Sequence, residues 1–355
     1  MAVSVAPVVP LDLLCASGTS YFGPPTLPYV PGVQGVGRVL RSSTLDEGTR
    51  VWFSTSAGMA PGDGSLAETC VVAAADLVPL GEKVADEDAA TIGLSGVAAW
   101  MCLTWRAALR PGERVLVLGA GGVVGQTAVA SARRLGAVRV VGVCRSAAAE
   151  ERVRRAGADA VVRMGDDDAA DPAALAARLV EAAGGPVDVV VDPVFGLAAA
   201  AACLALASGG RLVNLGGLGG DAAQLSSAVL RGRSASVLAY TNNAITPEQR
   251  ATALGKVLAL AASGTLVVDR RVHPLDEVAA AWERAAVGEG VRPLVHLPDD
   301  RPAAPSTTAA LMGMRRDVCS GIVGLGLGVG GARMTSAVPR RGRGSGSRSV
   351  VPEGV

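Results

Sequence analysis

The chain has 355 residues, half of them hydrophobic, and 33 basic side chains face 32 acidic ones for a formal net charge of +1. So small a net charge excludes a nucleic-acid binder driven by bulk electrostatics. An aromatic content of 3% leaves few platforms on which bases could stack. The length predicts two domains and a sizeable core.

The first ten residues carry two prolines and lack the basic start of a secretory signal. No apolar run is long enough to span a membrane; the longest, residues 321–332, is short and glycine-rich. Six cysteines (Cys15, Cys70, Cys102, Cys144, Cys203, Cys319) are scattered without a C-x-x-C pair. That usage fits reduced thiols in a cytoplasmic protein, not a disulfide framework or a zinc knot.

Residues 1–92 hold short β-like runs at 37–40, 50–53 and 67–73, separated by turn signals, which predicts a small antiparallel barrel. Residues 93–242 alternate helical and strand patterns, with strands expected at 115–118, 138–143, 160–162, 187–191, 211–215 and 236–240. That alternation predicts a doubly wound parallel sheet of Rossmann type. Residues 243–298 then supply a helix at 247–262, a strand at 266–269, a helix at 275–286 and a strand at 293–297. Residues 299–355, rich in Pro, Ser, Gly and Arg and lacking periodicity, are expected to form a disordered basic tail.

The most specific stretch is 114–145. An apolar strand is followed by Gly119-Ala120-Gly121-Gly122-Val123-Val124-Gly125, a helix over 126–135 and a second apolar strand. A glycine turn placed between a strand and a helix is the signature of a dinucleotide site. The pyrophosphate rests on the free N–H groups of the helix start, and a Cβ there would hold it away. NAD-preferring folds end the second strand with an acid for the ribose 2′-hydroxyl. Here that end reads Cys144-Arg145-Ser146, with no acid, and Arg145 suits a 2′-phosphate. The expected cofactor is NADPH.

Further matches lie at Asp12 within Pro10–Leu14, at Ser17-Gly18, at 27–32 (LPYVPG), at 48–52 (GTRVW), at 109–117 (LRPGERVLV), at 188–193 (DVVVDP) and at 274–278 (PLDEV). In their order and spacing the chain resembles the medium-chain dehydrogenase/reductase superfamily, in its zinc-independent quinone oxidoreductase branch. The resemblance implies an α/β fold, with a Rossmann domain joined to a GroES-like barrel. Relatives begin with further strands, so the barrel is expected to be shortened at its N-terminus. The resemblance also implies cofactor contacts from Asp192 and its following loop, from Asn214 and Gly216, and from Asn242. Near the acceptor it implies Asp12 and Tyr21, with Ser20 and Tyr29 as further hydroxyls.

Zinc-dependent relatives place Cys at the position of Val9, His-Glu at Val33-Gln34 and Cys near Ile92. Aliphatic side chains cannot donate to Zn²⁺, so no metal site is expected. The implied activity is hydride transfer from NADPH to a small quinone or α,β-unsaturated carbonyl, in a homodimer paired through 236–240. The alternatives are a non-catalytic NADPH-binding protein and, less favoured, a zinc-type alcohol dehydrogenase.

Overall fold

A computed structural model describes residues 1–165, 168, 171–288 and 290–297. The expected tail at 299–355 lies outside the described residues. Two six-stranded sheets organise the chain. The first contains β1 (Ala2–Pro7), β2 (Gln34–Arg38), β3 (Arg50–Ser54) and β4 (Leu77–Pro79). It is completed by the late strands β11 (Arg270–Pro274) and β12 (Arg292–His296), in the order β11-β12-β1-β2-β3-β4. All its pairings are antiparallel except that of β11 with β12.

The second sheet is parallel throughout. It comprises β5 (Arg114–Val117), β6 (Arg139–Cys144), β7 (Ala160–Arg163), β8 (Val187–Asp192), β9 (Leu206–Asn214) and β10 (Ser236–Ala239). Their order is β10-β9-β8-β5-β6-β7. Strand order therefore reverses between β5 and β8, where open α/β sheets leave a crevice beyond the carboxyl ends of the strands.

The pleat sorts the core. Val115 and Val117 of β5 face one cluster, which holds residues of α2 (Asp86–Met101), α3 (Val123–Arg134) and α8 (Pro247–Ala262). Leu116 and the following Leu118 face another, built on α5 (Pro172–Ala183) and α6 (Gly196–Leu204). A strand with helices on both faces must be apolar where it is buried, as Val115, Leu116 and Val117 are. The remaining helices are α1 (Pro10–Ser17), α4 (Ala147–Arg155), α7 (Ser227–Gly232) and α9 (Val278–Val287).

Two expected strands are corrected. Residues 67–73 meet β1 at a single bridge, Ala2 with Thr69, and then turn outward with Val71 94% exposed. Residues 266–269 do not pair; Leu266 and Val268 are buried as core, and pairing starts at Arg270. Apolar alternation marks burial, and here packing satisfies it without a ladder.

Helix α2 carries the chain from the first sheet to the second and is broken at Gly93, whose φ of 26° and ψ of −127° are not helical. A Cβ at Gly93 would stand 2.0 Å from Oε1 of Gln34. That oxygen accepts the Leu94 backbone N–H at 2.7 Å and the Trp52 indole N–H at 3.3 Å, while Nε2 of Gln34 donates to the Ala90 carbonyl at 3.4 Å. Gln34 thus satisfies backbone groups that the break frees inside the protein. Replacing it (Gln34→Leu) strands two donors, each costing ~1–3 kcal/mol. The expected result is a clear fall in the urea midpoint, checked by equilibrium unfolding.

Candidate active site

The glycine turn after β5 is tied to both neighbouring strands: Leu118 N–H donates to Val191 O and Ala120 N–H to Val143 O. Gly119 takes a φ of 56°, a conformation that a side chain resists. At Gly125 a Cβ would lie 2.4 Å from Cα of Ala120, and at Gly121 one would lie 2.5 Å from Cβ of Ala149. These glycines let α3 and α4 close onto the turn. Gly122 differs, since a Cβ there would meet only Gly119 O, at 3.6 Å. As the N-cap of α3 it brings no side chain to the helix start. The first N–H groups of α3, from Val123, Val124 and Gly125, therefore open the helix without a side-chain cap, at its positive end. The Gly121 carbonyl is held by Gln126 Nε2 at 2.9 Å and Arg152 Nε at 3.1 Å.

Arg145 stands exposed at the end of β6, and no carboxylate among the described residues pairs with it. Ser146 caps α4, its hydroxyl accepting the Ala149 N–H at 3.2 Å. Asp192, at the end of β8, is fully buried. Its Oδ1 accepts the N–H groups of Val194 (3.0 Å) and Phe195 (2.7 Å), which folds the following loop. Burial raises its carboxyl above the usual range, against the pull of those donors. The Asn214 amide donates to Asp192 Oδ2 at 3.2 Å and to Gly216 O at 2.7 Å. Asp192 and Asn214 thus shape the loops at the strand ends.

A cavity of about 650 Å³ opens at these ends, lined by Tyr21, Phe195, Asn214, Gly216, Tyr240 and Thr241 among others. Tyr21 is 77% exposed, and its hydroxyl lies 2.9 Å from Oγ1 of Thr241. The Tyr240 hydroxyl donates to Asn242 Oδ1 at 2.7 Å, and Asn242 Nδ2 donates to Leu94 O at 3.2 Å. Burial beside Cys102 pushes the Tyr240 hydroxyl well above the usual tyrosine range, so it stays protonated. A second, larger opening is lined by Asn242, Leu94 and Arg250 among others. There Arg250 holds Asp76 and the Ser54 hydroxyl.

The structure brings Tyr21, Asn214, Gly216 and the strand after them to one cavity, and places Asp12 elsewhere. Asp12 is buried in the first sheet's domain, its carboxylate accepting the N–H of Val9 at 2.8 Å and of Val33 at 2.9 Å. It lines neither opening. Its task is to fix the chain entering α1 against the segment before β2. Tyr29 is half-buried, and burial beside Cys15 and Asp12 pushes its hydroxyl up to about 12.

The positions that correspond to metal ligands, Val9, Val33 and Ile92, are buried apolar core. Among the described residues no group of three or more His, Cys, Asp or Glu could hold an ion. His273 and His296 instead face Glu277 and Glu87. Trp105 and Arg106 also line the cavity and escaped the sequence analysis. No periodicity or motif marks them, because a local irregularity of the helix end aims them.

Comparison with known proteins gives a consistent picture. Residues 123–258 match a family model described as zinc-binding dehydrogenase. Over 143 residues, 40% of this chain, the sequence is 39% identical to a phenolphthiocerol/phthiocerol polyketide synthase of Mycobacterium tuberculosis, and it spans only 6% of that protein's length. Human quinone oxidoreductase is 27% identical over 290 residues, covering 80% of this chain and 83% of the human protein. A probable oxidoreductase from Mycobacterium abscessus, 28% identical, superposes with a TM-score of 0.68 over 83% of this chain and 88% of its own.

The burial of Asp12 has a measurable signature. Desolvation, larger than the opposing pull of its two N–H donors and Arg292, raises its carboxyl to about 6. The unfolded carboxyl titrates near ~3.9. Between these values the folded chain keeps a proton that the unfolded chain has lost. The stability of the protein relative to Asp12→Asn is therefore greatest below pH ~4, declines by at most about 3 kcal/mol as pH rises through 6, and is flat above. Melting temperatures of the two proteins across that range check it.

Proposed function

The chain belongs to the medium-chain dehydrogenase/reductase superfamily, in its quinone oxidoreductase-like branch, and from that we propose an NADPH-dependent reductase acting on a quinone or an α,β-unsaturated carbonyl without a metal ion. One observation carries the reading. The uncapped, glycine-started helix α3 and the Tyr21-lined cavity both lie at the strand ends of one parallel sheet.

The residues fit a dinucleotide. A Cβ at Gly122 would touch only Gly119 O, and the N–H groups of Val123, Val124 and Gly125 are donors for a pyrophosphate. Arg145 and Ser146 stand where a 2′-phosphate would be recognised. When bound, NADPH supplies a hydride from its nicotinamide. The loops fixed by Asp192 and Asn214 set the wall beside it, with Gly216 allowing close approach of the backbone. The protein's own contribution to the acceptor is positional and electrostatic. The Tyr21 hydroxyl, restrained by Thr241, donates a hydrogen bond to the acceptor oxygen as negative charge develops there. A conjugated acceptor needs no stronger Lewis acid. The aliphatic Val9, Val33 and Ile92, and a Gln34 amide already committed to the protein interior, leave no ligand set for one. We also propose that two copies pair through β10, the edge of the parallel sheet.

Three outcomes are expected from NADPH oxidation assays with a small quinone. Turnover persists after treatment with a chelator. Arg145→Ala raises the KM for NADPH about tenfold, the loss of one charged contact, and leaves that for NADH nearly unchanged. Tyr21→Phe lowers kcat by about a hundredfold at constant cofactor affinity. NADPH binding without any turnover would instead support the non-catalytic reading.

A further inference from the structure

Two side chains in the cavity wall have no part in the reading above. Helix α2 ends in a π-helical turn, Cys102–Arg106, an irregularity that re-aims side chains and recurs at functional sites. Here it delivers Trp105 and Arg106 to the 650 Å³ cavity. Trp105 stays 40% exposed, meeting Tyr240 edge-on with ring centroids 6.2 Å apart. The guanidinium carbon of Arg106 lies 5.1 Å from the Trp105 ring centroid. Its Nε is buried with no hydrogen-bond partner, and among the described residues no carboxylate pairs with it. Asp221 lines the same cavity but makes no ion pair with it. Arg250, the half-buried arginine in the wall of the neighbouring opening, is by contrast matched to an acid, Asp76.

A partly desolvated guanidinium without a counter-ion is a standing cost that an incoming anion relieves. Its planar fork fits a carboxylate-like group in two-point contact, and the adjoining indole offers a face for a planar ring. A neutral acceptor would leave Arg106 unpaired. Resting on the reductase reading above, we propose that Trp105 and Arg106 form an acceptor subsite for a planar conjugated carbonyl compound bearing an acidic substituent. Arg106 holds the anionic group, Trp105 packs against the conjugated plane, and the carbonyl oxygen is left to the Tyr21 side of the cavity.

The test compares 1,4-naphthoquinone with 1,4-naphthoquinone-2-sulfonate at saturating NADPH, in the wild type, Arg106→Gln, Arg106→Lys and Trp105→Ala. The expected result is that Arg106→Gln raises the KM of the sulfonate about tenfold more than that of the neutral quinone. Arg106→Lys recovers part of the difference, and Trp105→Ala raises the KM of both. An unchanged KM ratio in Arg106→Gln overturns the proposal, as does an effect confined to the KM for NADPH, which would assign Arg106 to the cofactor. Absence of turnover with every acceptor would instead count against the reductase reading. The subsite is then judged by calorimetric titration of naphthoquinone sulfonate into the NADPH-loaded protein. Binding that Arg106→Gln weakens about tenfold supports it, and binding that the substitution leaves unchanged, or none, overturns it.

Discussion

The amide of Gln34, lodged in the break of helix α2 at Gly93, is the contact on which the relation of the two sheets depends. The helix must leave one sheet and pack on the other, and at the crossing its backbone hydrogen bonds are interrupted in a buried place. Only a side chain that both accepts and donates can serve the Leu94 N–H, the Trp52 indole and the Ala90 carbonyl together. A carboxylate would bring a buried charge and no donor, and an aliphatic group neither donor nor acceptor. From Leu94 the connection continues through its carbonyl to Asn242 and so to Tyr240 at the end of the parallel sheet. One run of hydrogen bonds therefore joins the interior of the first sheet to the cavity wall of the second.

The cofactor side is built on a different constraint, close approach. Glycine at 121 and 125 serves helix packing, while the opening needed for a ligand is concentrated at Gly122. The polar residues behind that opening are consumed by the protein. Asp192 turns the loop after β8, Asn214 links that loop to Gly216, and Ser146 caps α4. Their satisfied hydrogen bonds give a rigid rim, so that ordering it costs little when a ligand binds. Arg145 and Arg106 are the reverse: cations without an acidic partner among the described residues, the first exposed after β6 and the second in the cavity wall. In the proposed reading, their placement makes charge on the ligand the property that the site would read.

The parallel sheet was legible because its central strands carry buried aliphatic runs, at 115–117, 140–141 and 189–191, and because a glycine turn between a strand and a helix marks the start of such a unit. The first sheet was less legible. Residues 67–73 and 266–269 carry strand-like apolar runs, yet the first meets β1 at one bridge and turns outward while the second packs without pairing, and no local pattern marks either outcome. At the site, the sequence pointed to Tyr21, Asn214 and Gly216, which do meet in one cavity. It could not show that Asp12 turns inward onto the N–H groups of Val9 and Val33, since that depends on a segment 21 residues away. Trp105 and Arg106 stayed hidden for a geometric reason, because a π-helical turn shifts the angular positions on which helical periodicity is read.

Hydride transfer itself is the most direct test of the account. NADPH carrying two deuterons at the nicotinamide C4 would be incubated with metal-depleted protein and an α,β-unsaturated ketone, and the product examined by mass spectrometry. The account predicts a saturated ketone that has gained one deuterium, formed at a rate unaffected by added zinc. Bound NADPH with no label transferred, or transfer that appears only when zinc is restored, would contradict it.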